Sequence, residues 1–149
     1  MRFPKIGLLV VAVALLGLVG YAFAAPSPGP QHRGTLVHPI RAHSDGVHMN
    51  THGSTDLIAQ DFVYHPGDVS GWHYHPGLVL VENEGPGTGT FRDGCHVFTI
   101  PPNTSFSETG HHPVQLEDNS SDNFTTHVMY VLPTGAPPRI NTDPPHCHH

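Results

Sequence analysis

The chain has 149 residues, with six Lys and Arg against twelve Asp and Glu, and its formal net charge at pH 7 is −6. This length is sufficient for one domain with a hydrophobic core and too short for two domains that each have a core of adequate size. The acidic balance, without clustered Lys and Arg, excludes nucleic acid as a partner, and the sequence contains no basic amphipathic helix that would bind a membrane surface.

The first 24 residues are predicted to be a signal peptide. Arg2 and Lys5 form a basic start, residues 6–19 are apolar, and Ala22-Phe23-Ala24 fits a small-residue cleavage site. We expect cleavage near Ala24 and export, so that the mature protein is secreted or held in the cell envelope. Cleavage would remove two of the six basic residues and none of the twelve acidic ones, so the mature protein would have a formal charge of −8. Retention of the leader as an anchor is the alternative, although its apolar run is short for a membrane span.

Residues 25–54 form a segment rich in Pro, Gly and His. The composition from Ala25 to Pro30 predicts an unstructured spacer, and Thr35-Leu36-Val37 predicts a short edge strand. A stretch without helical or strand periodicity follows, which predicts a loop, and it contains three histidines: His43, His48 and His52. A weak metal-buffering role is one interpretation of these histidines, and compositional drift is the other.

Residues 55–134 alternate short apolar runs with turns rich in Gly and Pro, and residues 135–149 form a Pro-rich tail that we expect to run over the surface. The pattern predicts seven strands: 56–64, 72–75, 78–82, 96–100, 106–108, 114–117 and 124–132. No amphipathic helical pattern follows the leader. The spacing of the strands and turns predicts an all-β sandwich or barrel.

His73 and His75 are candidate metal ligands. In a strand they point to the same side, and transition metals bind neutral imidazole nitrogen readily. The alternative to a metal site is that the two histidines are simply polar residues on a solvent-exposed strand face. The flanking turns Pro66-Gly67 and Pro76-Gly77, with the apolar run at 78–81, favour a metal site.

These residues also carry a resemblance. Gly67, followed after five intervening residues by His73-x-His75 and then by an apolar strand, resembles the first motif of the cupin superfamily. The run Gly71-Trp72-His73-x-His75-Pro76-Gly77 resembles small secreted bacterial single-domain cupins of the cupin 2 conserved barrel type. The resemblance covers residues 56–147. It implies a single antiparallel, jelly-roll-like β-barrel whose motif histidines point inward and usually hold a divalent metal such as Zn, Fe, Mn or Ni.

The sequence departs from the cupin pattern at two ligand positions. The first motif should continue with a glutamate at Val79 or Leu80, and neither residue can bind a metal. Glu82 and Glu84 come later and are interpreted as solvated turn carboxylates.

The second cupin motif ends in a histidine, three further residues and an asparagine. Pro101–Glu108 resembles its first half, with Asn103-Thr104 in place of the usual glycine, and an alignment on Asn119 puts Gln115 where the third histidine belongs. His111 or His112, on the preceding turn, could contribute instead. The predicted metal ligands are thus His73, His75, Gln115 and His112.

Two cysteines, Cys95 and Cys147, are present, and export to an oxidising compartment favours a disulfide between them. A thiolate metal ligand is the alternative, since Cys147 stands among His146, His148 and His149. The resemblance strengthens the disulfide prediction, because secreted cupins repeat both the Asp-Gly-Cys turn and the final cysteine.

The sequence predicts an exported cupin barrel that binds a divalent metal, a small molecule or both through His73 and His75. Three functions are consistent with it: a metal-dependent enzyme such as an oxygenase or isomerase, a non-catalytic module that captures a ligand or metal, and a structural domain with a filled barrel. No catalytic residue is assigned. Homodimerisation through a barrel edge is consistent with the family.

Overall fold

The computed structural model describes residues 24–147, which form twelve β-strands and no helix. None of these residues belongs to a helix that could cross a membrane. The predicted signal peptide lies outside the described residues except for Ala24. The strands are β1 Ser27–Leu36, β2 Arg41–Ser44, β3 Val47–Asn50, β4 Thr55–Tyr64, β5 His73–Tyr74, β6 Leu78–Asn83, β7 Gly89–Asp93, β8 His96–Ile100, β9 Thr104–Thr109, β10 Val114–Asp118, β11 Phe124–Pro133 and β12 Ile140–Asn141.

Ten of the strands form two five-stranded antiparallel sheets. Sheet 1 has the order β1-β4-β11-β6-β9, and sheet 2 has the order β12-β5-β10-β7-β8. From β4 onward the chain crosses from one sheet to the other at every connection except the β7–β8 hairpin, as in a jelly roll. The predicted all-β, antiparallel, jelly-roll-like architecture is confirmed.

Side-chain alternation along the strands builds the core. Strand β11 shows it most clearly, because alternate residues from Phe124 to Leu132 are buried while their neighbours are more exposed. Full burial of a Val, Leu or Phe side chain contributes about 1.5–3 kcal/mol to the free energy of unfolding. The buried apolar residues form two clusters, and Phe62 and Phe106 pack against both and join them into one interior.

The structure corrects the predicted spacer at the mature N-terminus. Strand β1 pairs with β4 from Ser27 opposite Val63 to Leu36 opposite Thr55, so the chain is ordered well before the predicted strand at 35–37. The reason is the ten-residue strand β4, whose free side offers a full row of hydrogen-bonding groups. Prolines are tolerated in β1 because it lies at the sheet edge, with an irregularity between Pro28 and Gln31.

The predicted histidine-rich loop is also wrong over part of its length, because β2 and β3 form a separate hairpin there. Asp45 and Gly46 join the strands, and both have positive φ angles, of 48° and 85°. An Asp-Gly pair favours a tight two-residue hairpin turn of this kind. The four-residue strands are too short to show a clear alternating pattern in the sequence.

The Pro-rich tail is fastened to the barrel at two places. Strand β12 pairs with β5, with Ile140 opposite Tyr74, and Cys147 forms a disulfide with Cys95 in the turn between β7 and β8. The disulfide prediction is confirmed, and a thiolate metal ligand is excluded for Cys147. The tail therefore lies over the strand that carries the histidine motif.

Candidate metal centre

The predicted histidine pair lies on the inner face of sheet 2. Strand β5 is held between β10 and β12, since His73 pairs with Val114 on one side and with Asn141 on the other. His73 and His75 are only 6% and 4% exposed, and their ring centroids are 4.8 Å apart. The prediction that both imidazoles point to the same side is confirmed, and the alternative of a solvated strand face is wrong.

Glu108 completes a three-residue cluster with the histidines. It enters from β9 in sheet 1, is 4% exposed, and its Oε2 lies 2.7 Å from Nε2 of His75. The donor atoms of the three residues all lie within 4.8 Å of one another. Two imidazoles and one carboxylate are a common ligand set for catalytic zinc and for non-haem iron.

Sequence reasoning missed Glu108, and the strand register explains why. Val79, where the first cupin motif should supply a glutamate, pairs directly with Glu108 across β6 and β9. Side chains opposite each other in antiparallel strands share a face, so Glu108 brings a carboxylate to the same side of the sheet from the adjacent strand. One signal was available, because Phe106 packs inward and the period of two places Glu108 on the same face.

Gln115 and His112 are not placed beside His73 and His75. Gln115 lies between the buried residues Val114 and Leu116 on β10, so it faces the other side of the sheet. His112 is exposed on the turn before that strand. Their places in the predicted ligand set came from an alignment on Asn119, whereas the third donor that the structure supplies comes from β9.

Backbone carbonyl groups fix the orientation of both imidazoles. Nδ1 of His73 donates a hydrogen bond to the carbonyl oxygen of Gly71 at 2.8 Å, and Nδ1 of His75 donates one to that of Pro138 at 2.5 Å. A carbonyl can only accept, so each Nδ1 carries hydrogen and each Nε2 is left for a ligand. Such outer contacts are typical of metal-binding histidines. One of them comes from the C-terminal tail.

The protonation of His73 suits metal binding. Burial lowers the pKa of His73 to about 3, and the positive charge of Arg139 acts in the same direction. The imidazole is therefore neutral at physiological pH, and its Nε2 lone pair is available without the loss of a proton.

The contact between His75 and Glu108 also fits a cation. Because Nδ1 of His75 already donates to Pro138, the 2.7 Å separation of Nε2 and Oε2 requires a hydrogen or a cation between the two atoms. A divalent metal ion would replace that hydrogen. The donor set thus matches the metal that cupins usually hold.

The cluster opens into a cavity of about 210 Å³ inside the barrel. Tyr64 and Tyr130 line it, and burial together with the negative charge of Glu108 raises the pKa of both tyrosines, so their hydroxyl groups remain protonated. Arg139 lies at the cavity and donates from one terminal nitrogen to the carbonyl oxygen of Ser70 at 2.5 Å. The remaining lining is largely apolar: Phe62, Val81, Leu116 and Val128.

No protein-family model and no curated protein matches the chain. Among solved structures, a cupin domain from Bordetella pertussis Tohama I is similar at a TM-score of 0.50 and 13% identity, over 75% of this chain and 98% of that one. A crystal structure of the DMSP lyases RdDddP and RnDddQII is similar at a TM-score of 0.50 and 18% identity, over 58% of this chain and 44% of that one. The present chain therefore matches less than half of that lyase chain.

The chain has the cupin fold, as the histidine motif predicted. Identities this low establish the fold alone, and a fold does not define a reaction. Together with the fold, the cluster of His73, His75 and Glu108 supports a metal-binding cupin.

Proposed function

We propose that this protein is an exported cupin that binds a divalent transition metal through His73, His75 and Glu108 and takes a small molecule into the adjoining cavity. The observation that carries the proposal is the buried 2.7 Å contact between His75 and Glu108, beside a neutral His73. The metal is Zn, Fe, Mn or Ni. Export rests on the predicted leader, and N-terminal sequencing of the mature protein, expected to begin near Ala25, tests it.

Three protein ligands leave at least one coordination position for a water molecule or a substrate atom. When bound, the metal would act as a Lewis acid on a group that coordinates it. The Tyr64 and Tyr130 hydroxyls can orient that group by hydrogen bonding, and Arg139 favours an anionic one. The cavity is smaller than the roughly 300–1,000 Å³ of typical drug-sized sites, so the ligand is a small molecule.

Two uses of this site are consistent with the geometry. A metal-dependent oxygenase or isomerase needs a substrate atom at the metal and polar groups around it, and the two tyrosines supply such groups. A non-catalytic capture module needs the metal and the cavity but no turnover. The buried polar groups of the cavity favour a small-molecule ligand over capture of a metal alone, because a site that only holds a metal ion does not need them.

Cobalt substitution tests the proposal directly. The protein loaded with one equivalent of Co(II) is expected to show visible absorption bands typical of a nitrogen- and oxygen-ligated ion, and azide is expected to shift them by occupying the open position. Glu108→Gln is expected to weaken Co(II) binding markedly, while Gln115→Ala is expected to leave the spectrum unchanged. Azide-insensitive bands would contradict an open coordination position, and bands unaffected by Glu108→Gln would contradict the ligand set.

A further inference from the structure

A second pair of histidines lies outside the barrel, on the β2–β3 hairpin. His43 and His48 are directly opposite each other, and both are exposed to solvent. Their Nδ1 atoms are 2.6 Å apart and share a hydrogen bond, whose hydrogen a metal ion would replace, and their ring centroids are separated by 4.8 Å. Neither residue takes part in the barrel cluster, so this pair is an independent place where two imidazole nitrogens converge.

The hairpin fixes this convergence. The two-residue Asp45-Gly46 turn sets the register, in which Ser44 pairs with Val47 next to the turn and the two histidines form the following pair. In a hairpin of this type that following pair is not directly hydrogen bonded, and its side chains approach most closely.

The base of the same hairpin is also closed. The Thr51 amide donates to the carbonyl oxygen of Ile40 at 3.0 Å, and the Ile40 amide donates to the Thr51 hydroxyl at 2.9 Å. Both ends of the β2–β3 unit are thus tied, and the two imidazoles are held together before any ligand arrives.

We propose that His43 and His48 form a solvent-exposed, bidentate site for Cu(II). With metal–nitrogen bonds of about 2.0 Å, two nitrogens at a right angle are about 2.8 Å apart and two at a tetrahedral angle are about 3.3 Å apart. The observed 2.6 Å is nearer to the right angle, which square-planar Cu(II) and Ni(II) prefer. Among divalent first-row metals Cu(II) binds nitrogen ligands most tightly, and we therefore expect the site to bind Cu(II) in preference to Ni(II).

Two protein ligands leave the remaining positions of Cu(II) to water. Such a site suits reversible capture of the ion at the protein surface and differs from the buried, three-ligand centre in the barrel. Loss of one site is therefore expected to leave the other intact.

The test is a Cu(II) titration of the His73→Ala/His75→Ala protein, followed by calorimetry and by electron paramagnetic resonance. In this background we compare His43→Asn, His48→Asn and the double variant with His52→Asn, an exposed histidine of the same segment. Each single substitution is expected to weaken one Cu(II) site by about tenfold or more, because a chelate loses the benefit of its second linked ligand. The double variant is expected to lose less affinity than the sum of the two single losses, because either substitution already breaks the chelate, and His52→Asn is expected to have no effect.

Two results would overturn the proposal. Single-variant losses that add up to the loss in the double variant would mean that the histidines bind separately, and an equal loss in His52→Asn would mean non-specific binding by surface histidines. The same comparison in the otherwise unaltered chain, counting bound Cu(II) per chain, serves if the barrel variant does not fold.

Discussion

The disulfide between Cys95 and Cys147 fastens the tail that also contacts the metal centre. Pro138, whose carbonyl oxygen accepts from His75, lies between β11 and Cys147. The perturbation is Cys95→Ser/Cys147→Ser, which removes the crosslink and leaves no free thiol. We expect two consequences, a lower free energy of unfolding and weaker metal binding.

The size of the stability loss follows from the length of chain that the crosslink closes. The two cysteines are 52 residues apart, and the chain-entropy relation gives about 4 kcal/mol for a loop of this length. The total free energy of unfolding of a typical domain is about 5–15 kcal/mol, so the disulfide accounts for a large share of it.

The effect on metal binding follows from the tail contact with His75. Loss of an outer hydrogen bond to a metal-binding histidine typically lowers metal affinity by about 10- to 100-fold. The β12–β5 pairing still holds the tail in part, so we expect the lower end, about tenfold.

Urea unfolding followed by the fluorescence of Trp72 measures the first effect. This residue is the only tryptophan, and its carbonyl oxygen accepts from Thr142 of the tail at 3.1 Å. Competition with a chelating indicator measures the second effect. The wild-type protein reduced with dithiothreitol is the matched control and should behave like the variant. A loss of stability below about 1 kcal/mol, with unchanged metal affinity, would refute this account of the tail.

Three further predictions concern the barrel itself. Hydrogen bonds to Asp61 and Glu84 raise the pKa of His127. The stabilisation by His127 is therefore fully present below its unfolded pKa of about 6.5 and is lost as pH rises through the higher folded pKa. The stability gap between wild type and His127→Gln, on the order of 0.5–1 kcal/mol, should shrink as pH rises above the unfolded pKa, and a gap that widens would contradict the ion pairs. A Cβ atom on Gly77 would lie 2.3 Å from a backbone oxygen of β11. Gly77→Ala should therefore lower the free energy of unfolding by about 1–3 kcal/mol, measured as a lower urea midpoint. Gly34→Ala is the control and should leave the midpoint unchanged, because a Cβ atom there meets nothing within 4 Å. Buried Asp118 accepts from the amide of Phe124 at 3.1 Å, so Asp118→Ala should cost about 1–3 kcal/mol in the same assay, and an unchanged midpoint would contradict its structural role.

Much of the fold could be predicted because short-range chemistry decides it. The alternation in β4 and β11 is visible in the sequence, and so is the glycine, Gly94, that begins the turn between β7 and β8. Strand β1 was largely missed because its order depends on pairing with β4, whose residues lie 19 to 36 positions further along the chain. Its prolines and glycines carry no strand signal of their own.

The candidate site divides in the same way. His73 and His75 were predictable because their common direction depends only on strand parity. Glu108 was not assigned because its position depends on the register of β6 against β9, which the sequence does not state. Gln115 was placed by motif spacing, although the buried neighbours on either side of it turn it away from His73.

The most direct test of the metal centre is the metal content of the protein, purified without an affinity tag or chelator and measured by elemental analysis. We expect close to one divalent transition-metal ion per chain in the barrel of the wild type. That ion should be lost in His73→Ala/His75→Ala, strongly reduced in Glu108→Gln, and retained in Gln115→Ala/His112→Ala. Retention in the first variant, loss in the last, or absence of metal from the wild type even after incubation with Zn, Fe, Mn and Ni would contradict the proposed centre.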